Sequence, residues 1–165
     1  MEERVKLEIK LTAIDKAIEL AGWFSIVVIW VLAIINYNDL PDIIPTHYNA
    51  TGKADSFGGK ATILTLPLIV TILFAGLTAI NKFPHIFNYP ANITKENAQR
   101  QYTMVTRLIR YLKLVIVIIF GFITYQTIQN AGGKADGLGK CFLPIMLATV
   151  FAPLIWFIVK SVKKA

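Results

Sequence analysis

The chain has 165 residues, 55% of them hydrophobic and 16% charged, with a formal net charge of +7. One domain is the default for that length, and a mean hydropathy of +0.57 excludes an ordinary water-soluble domain. A basic excess would suggest nucleic acid in a soluble protein. Here the basic residues flank apolar runs, so the lipid bilayer explains them and no nucleic-acid partner is expected.

The apolar residues are clustered. Uncharged runs occupy Leu20–Asn38, Ala61–Asn81, Leu114–Gly133 and Cys141–Val159. Each is close to the roughly 20 residues that a helix needs to cross the hydrocarbon core. Soluble core helices rarely stay apolar on every face for that long. The sequence predicts an all-α membrane protein, a bundle of four transmembrane helices in a single integral domain. The spans fall at about 18–37, 61–82, 108–130 and 141–160.

At the N-terminus, Val5, Leu7, Ile9 and Leu11 alternate with Lys6, Glu8 and Lys10, a period of two that favours an extended segment. Thr12-Ala-Ile-Asp15 resembles a capping box with aspartate in the glutamate's place, so the first helix is expected to start there and run to about Asn36. The segment up to it carries Glu2, Glu3, Glu8, Asp15 and Glu19, unlike the positively charged leader of a cleaved signal, and the first span is expected to be retained.

Next comes the most polar stretch, Asn36 to Lys60, expected as one ordered outer loop over 38–60. Pro41 and Pro45 oppose a continuing helix, and Asn49-Ala-Thr-Gly52 and Gly58-Gly59 are turn material. The second helix is expected from about Lys60 to Asn81, with Pro67 in its first two turns. The connection 83–107 is broken by Pro84 and Pro90. Thr94 is the expected N-cap of a long helix reaching Gln129. A glycine-rich turn at 130–140 leads into the fourth span and a basic tail.

Lysine and arginine set the orientation. Thirteen of them lie in the N-terminal arm, the central connection and its helix, and the tail; only Lys53, Lys60, Lys134 and Lys140 lie in the other two connections. Both termini and the 83–107 connection are therefore expected to be cytoplasmic, with 38–60 and 130–140 facing outward. These two outer segments share a string, Gly52-Lys53-Ala54-Asp55 and Gly133-Lys134-Ala135-Asp136. A parallel internal repeat is one reading, and chance matching among small residues is the other.

The chemistry-bearing residues gather in the outer loop. Asp42, His47, Asn49, Asp55 and Lys60 are the candidate ligand- or partner-binding residues, with Pro41, Pro45 and Gly52 shaping the loop. One histidine with scattered carboxylates lacks the three or four matched ligands of a metal site, so no metal and no cofactor is expected. His47 is expected to order the loop through hydrogen bonds from a buried ring. Cys141 has no disulfide partner, and there is no nucleophile–base pair, glycine-rich phosphate loop or HExxH string, so no enzymatic activity is expected. The uncharged runs argue against a proton relay. Arg100, Arg107, Arg110 and Lys113 could hold anionic lipid.

The loop string LPDIIPTHYNATGKADSFGGK resembles the L-P-x-x-I-P-x-H-x-N-x-x-G-x-x-D signature, followed by a lysine, of a small bacterial membrane domain of unknown function. Pro41, Pro45, His47, Asn49, Gly52, Asp55 and Lys60 fall on that pattern. The same domain is found at the start of SdpI-like immunity proteins, which protect cells from a secreted sporulation-delay toxin and carry further spans that this chain lacks. The resemblance implies a multi-pass protein of the bacterial inner membrane with a non-enzymatic role. The expected function is an outer loop that binds or senses a peptide, an envelope component or a partner membrane protein, in an immunity- or signalling-like role. The alternative is a small oligomeric transporter or channel, built as a homo-oligomer. A metal-dependent membrane enzyme centred on His47 is the remaining reading.

Overall fold

A computed structural model describes residues 4–163. Four helices are long and apolar enough to cross a membrane. The elements are α1 (Ala13–Asn36), β1 (Ile43–Tyr48), β2 (Ala54–Gly59), a 3-10 turn (Lys60–Leu64), α2 (Thr65–Ile80), a short 3-10 turn (Pro84–Ile86), α3 (Ala98–Ala131) and α4 (Phe142–Lys163). The protein is thus mostly helical but not all-α, because the loop expected at 38–60 folds as an antiparallel hairpin. Ile43, Ile44, Thr46 and Tyr48 suit a pleated strand, whereas Ala-Asp-Ser-Phe-Gly-Gly has little strand preference and takes its conformation from pairing with β1.

The capping box holds α1 at its start. Thr12 Oγ1 accepts from the Asp15 backbone N–H, and the Thr12 backbone N–H donates to Asp15 Oδ2 at 2.9 Å. Before it, residues 4–10 pair with no strand, yet Val5, Leu7 and Ile9 are the less exposed positions, as the period of two requires. Arg4 reaches the carbonyls of His85 and Phe87 and lies over the Tyr89 ring, so the arm and the 83–97 connection meet at one end of the bundle. Burial pushes the Tyr89 hydroxyl above its ordinary range, and that hydroxyl donates to Pro84 O at 2.8 Å. Thr94 and Asn97 exchange a reciprocal pair of bonds just before α3. The C-terminal part of α4 joins this same end, where Gln101 and Ser161 are hydrogen-bonded and fully buried.

Helices α1, α2 and α3 form the core. Ile26, Ile29, Val70, Phe74 and Val117 fill its middle, and Gly22 lets the Phe74 ring approach where a Cβ would collide with it. Helix α4 packs chiefly on α3 and buries only Phe157 and Ser161. Leu154 and Phe142 also pack inward, whereas Ile145, Phe151, Ile155 and Trp156 face outward, as lipid-facing residues do.

Between α1 and α3 lies a cluster of charges. Asp15 and Glu19 are four apart on one face of α1; Arg107, Arg110 and Lys113 recur every three on one face of α3. Lys113 Nζ meets Glu19 Oε2 and Thr78 Oγ1, each at 2.6 Å, and stands 4.3 Å from the centre of the Phe74 ring. Arg110 Nε lies 3.3 Å from Glu19 Oε1, and Asp15 is approached by Arg110 at 3.7 Å and Arg107 at 3.5 Å. Lys113 is 1% exposed and Arg110 6%. Both basic residues are thus paired with carboxylates of α1 inside the bundle instead of standing free on the surface of α3.

Removing one member of a buried pair strands the other, at a cost of about 3–5 kcal/mol, whereas replacing both with apolar residues is often nearly neutral. Glu19→Leu should therefore lower thermal stability in detergent sharply, because Lys113 keeps only Thr78 and the Phe74 ring, and Arg110 keeps only Asp15. Adding Lys113→Met should restore part of the loss, the share due to Lys113. Additive losses in the double variant would contradict the pairing.

Candidate functional site

The hairpin sits at the bundle end opposite the arm. Its turn is built by Asn49, whose Oδ1 accepts from the Thr51 N–H at 3.0 Å, the Thr51 hydroxyl at 2.7 Å and the Lys53 N–H at 3.2 Å. The Asn49 N–H donates to Lys53 O, closing the turn. Gly52 has φ +81°, a left-handed conformation that strains any residue with a Cβ, and a Cβ there would lie 2.8 Å from Gly139 O. Pro45 lacks the N–H a regular ladder needs, and the pairing is irregular between Pro45 and His47.

The base of the hairpin is closed by Lys60. Its Nζ lies 3.4 Å from both Leu40 O and Asp42 Oδ1, and 5.8 Å from the centre of the Tyr37 ring. The Lys60 N–H donates to Asp42 O at 2.9 Å. Ile44, fully buried, packs with Ala33, Leu40, Ile63 and Ile128. Pro41 occupies the exposed passage from α1 into β1.

Three further ties come from outside the loop. Tyr48 hydroxyl and Thr127 Oγ1 are 3.0 Å apart, joining β1 to α3. Asn130 Nδ2 contacts the Tyr48 hydroxyl at 3.3 Å and also binds Gln126 O, while its Oδ1 accepts from the Gly137 N–H. The Leu138 N–H donates to Gly52 O at 2.6 Å, and Lys53 Nζ stands 3.7 Å from Asp136. The 131–141 turn thus presses directly on the tip of the hairpin. Gly137, at φ +89°, is where the two backbones meet, since a Cβ there would strike Gly52 O.

The two Gly-Lys-Ala-Asp strings touch but do not share a structure. The first leads into strand β2, whereas the second stays within a turn. Their likeness reduces to a left-handed glycine and a proline early in the helix that follows, and it gives the repeat reading no structural support.

His47 and Asp55 differ from the other loop residues. His47 Nδ1 and Asp55 Oδ1 are 2.5 Å apart, and their side chains are 68% and 42% exposed. The ring is therefore not buried, contrary to the expectation of a histidine ordering the loop from inside. On the same hairpin Ile43 is 67% exposed and Phe57, next to the Ser56 that pairs with His47, is 61% exposed. Among the described residues, no three His, Cys, Asp or Glu side chains converge to hold a metal ion.

The residues singled out in the sequence thus divide. Asn49, Gly52, Pro45, Asp42 and Lys60 build and close the hairpin, and His47 with Asp55 is displayed on it. The sequence reading missed Tyr48, Thr127, Asn130 and Gly137, which fix the hairpin to α3 and the distal turn. Polar residues near the end of an apolar helix were the available signal for Thr127 and Asn130; their partners were not.

Residues 24–71 match a domain of unknown function, DUF1648, which covers the end of α1, the whole hairpin and the start of α2. The chain is also similar to an uncharacterized protein of Archaeoglobus fulgidus, with 29% identity over 159 residues, covering 89% of this chain and 87% of the relative. No solved structure matches the chain. The match to DUF1648 falls on the one segment in which a hairpin is inserted between two apolar helices.

Left-handed backbone costs a residue with a Cβ roughly 1–2 kcal/mol, before the contact with Gly139 is counted. An exposed ion pair is worth about 1 kcal/mol or less. Gly52→Ala should therefore open the hairpin to trypsin at the exposed Lys53, whereas His47→Ala should leave the cleavage rate nearly unchanged. Rapid cleavage of His47→Ala would show that the histidine, and not the turn, holds the hairpin.

Proposed function

We propose that the protein is a non-enzymatic binding module of the prokaryotic cytoplasmic membrane, with the hairpin outside and both termini inside. Twelve of the lysines and arginines among the described residues lie toward the arm end and support that orientation. The occupant is an extended peptide segment, either free in the extracytoplasmic space or part of a partner membrane protein. Immunity and signalling are both uses of such a module.

The observation that carries this reading is a braced hairpin with an open edge. Strand β2 pairs with β1 on one side, and among the described residues no strand covers its other edge. An uncovered edge is a template for another strand. Phe57 and Ile43 offer apolar contact beside it, and the His47–Asp55 pair offers both a donor and an acceptor. Because the hairpin is already tied to α1, α3 and the distal turn, little ordering cost accompanies binding. The second reading, a small oligomeric transporter or channel, is favoured by the outward apolar faces of α4.

Photo-cross-linking in spheroplasts tests the proposal. A photoreactive residue at Ser56 should give a discrete adduct that externally added protease removes, and Phe57→Asp should abolish it without lowering the amount of inserted protein. A photoreactive residue at Lys95, exposed at the other end, should give no such adduct. An Ser56 adduct insensitive to Phe57→Asp, or protease access at Lys95 instead, would overturn the reading.

A further inference from the structure

A second polar site lies at the opposite end of the bundle. A cavity of about 380 Å³ opens between the N-terminal arm and the end of α2, and its wall includes Glu8, Thr78, Asn81, Lys82 and Arg110. Two of these side chains are more than nine-tenths buried and incompletely bonded. Asn81 is 6% exposed; its Nδ2 donates to Thr106 O at 3.0 Å, but its Oδ1 has no hydrogen-bond partner. Arg110 Nε and Nη1 have carboxylates at 3.3 and 3.7 Å, yet neither atom makes a hydrogen bond. Their ion pairing is therefore real as charge proximity and incomplete as hydrogen bonding.

Buried polar atoms left in this state are costly unless a ligand or ordered water completes them. The charge count selects the ligand's sign. The cluster and cavity wall together contain Arg107, Arg110, Lys113 and Lys82 against Asp15, Glu19 and Glu8, which leaves one positive charge over. The unpaired acceptor on Asn81 adds a second requirement, a hydroxyl or other donor on the same ligand.

We propose that this cavity binds a phosphate group that carries or adjoins a hydroxyl, with Arg110 and Lys82 facing the phosphate and Asn81 Oδ1 accepting from the hydroxyl. A glycerol-bearing phospholipid headgroup and free hydrogen phosphate share that chemistry. The cavity's place at the apolar–polar boundary of the bundle, beside the ends of α2 and the arm, gives access to either source. A guanidinium suits phosphate through its fork of donors, and a lysine at the rim adds a point charge.

The test uses the full chain purified in detergent. Native mass spectrometry after addition of phosphatidylglycerol or phosphatidylcholine reads the lipid source. Thermal unfolding in inorganic phosphate, against chloride at equal ionic strength, reads the soluble source, since a ligand bound only by the folded state raises the melting temperature. A preference of about tenfold for phosphatidylglycerol, or a melting shift specific to phosphate, is expected, corresponding to a clear difference in affinity. Lys82→Glu, at an exposed rim position, should abolish that preference, whereas Lys134→Glu at the other end should leave it intact. Asn81→Leu should weaken it as well, and Lys82→Glu carries the test if that buried variant does not fold. No preference for either ligand, or a preference unchanged by Lys82→Glu, overturns the assignment.

Discussion

The architecture depends on the ion cluster between α1 and α3. Charges leave water at a cost of several kcal/mol each, and only close partners offset that cost. Glu19 and Lys113 each adjoin an uncharged run, so their pairing sets the two runs side by side at matching depth. Thr78 brings α2 to the same point through its contact with Lys113. Above that point the three helices meet mainly through apolar side chains around Phe74 and Val117, which give cohesion but little directional constraint, with one hydrogen bond from Trp30 Nε1 to Thr71 Oγ1 between α1 and α2. The cluster fixes the register, and the apolar layer then packs around it.

The same register brings the far ends of α1 and α3 to where the hairpin can be tied. Lys60 holds the exit of β2 to the end of α1, Tyr48 holds β1 to Thr127, and Gly52 meets Leu138. A two-stranded hairpin alone is marginally stable in water. Here it is stabilised by helices on one side and by the distal turn at its tip. The Asn49 and Gly52 turn, the Asp42–Lys60 closure and the buried Ile44 explain why those residue types occur at that spacing. His47, Asp55, Phe57 and Ile43 have no comparable structural duty, and this separation directs attention to them as the contact surface.

Much of this was legible in one dimension. Run length showed the four spans, the Thr12–Asp15 spacing showed the start of α1, and Asn49 and Gly52 marked the turn. The strands were obscured because Pro41, Pro45, Gly58 and Gly59 read as loop chemistry, and Ala54–Gly59 becomes a strand only through its partner. The charge cluster was half visible: spacings of four on α1 and three on α3 put like charges on single faces. Which faces meet is a tertiary fact, and the pairing of Arg110 and Lys113 with carboxylates of α1 is not visible in either helix alone. The exposure of His47 was hidden for a similar reason, since sequence proximity to carboxylates does not report burial.

The hairpin is an ordered platform continuous with the bundle and not a mobile loop. Hydrogen–deuterium exchange in lipid nanodiscs measures this directly, because amides in stable ladders and braced turns exchange only through opening. The account predicts protection at the paired amides of Ile43–Tyr48 and Ala54–Gly59 and at Leu138, well above that of the N-terminal arm before Thr12. Exchange of the hairpin amides as fast as an unstructured segment, with the helices still protected, would contradict it.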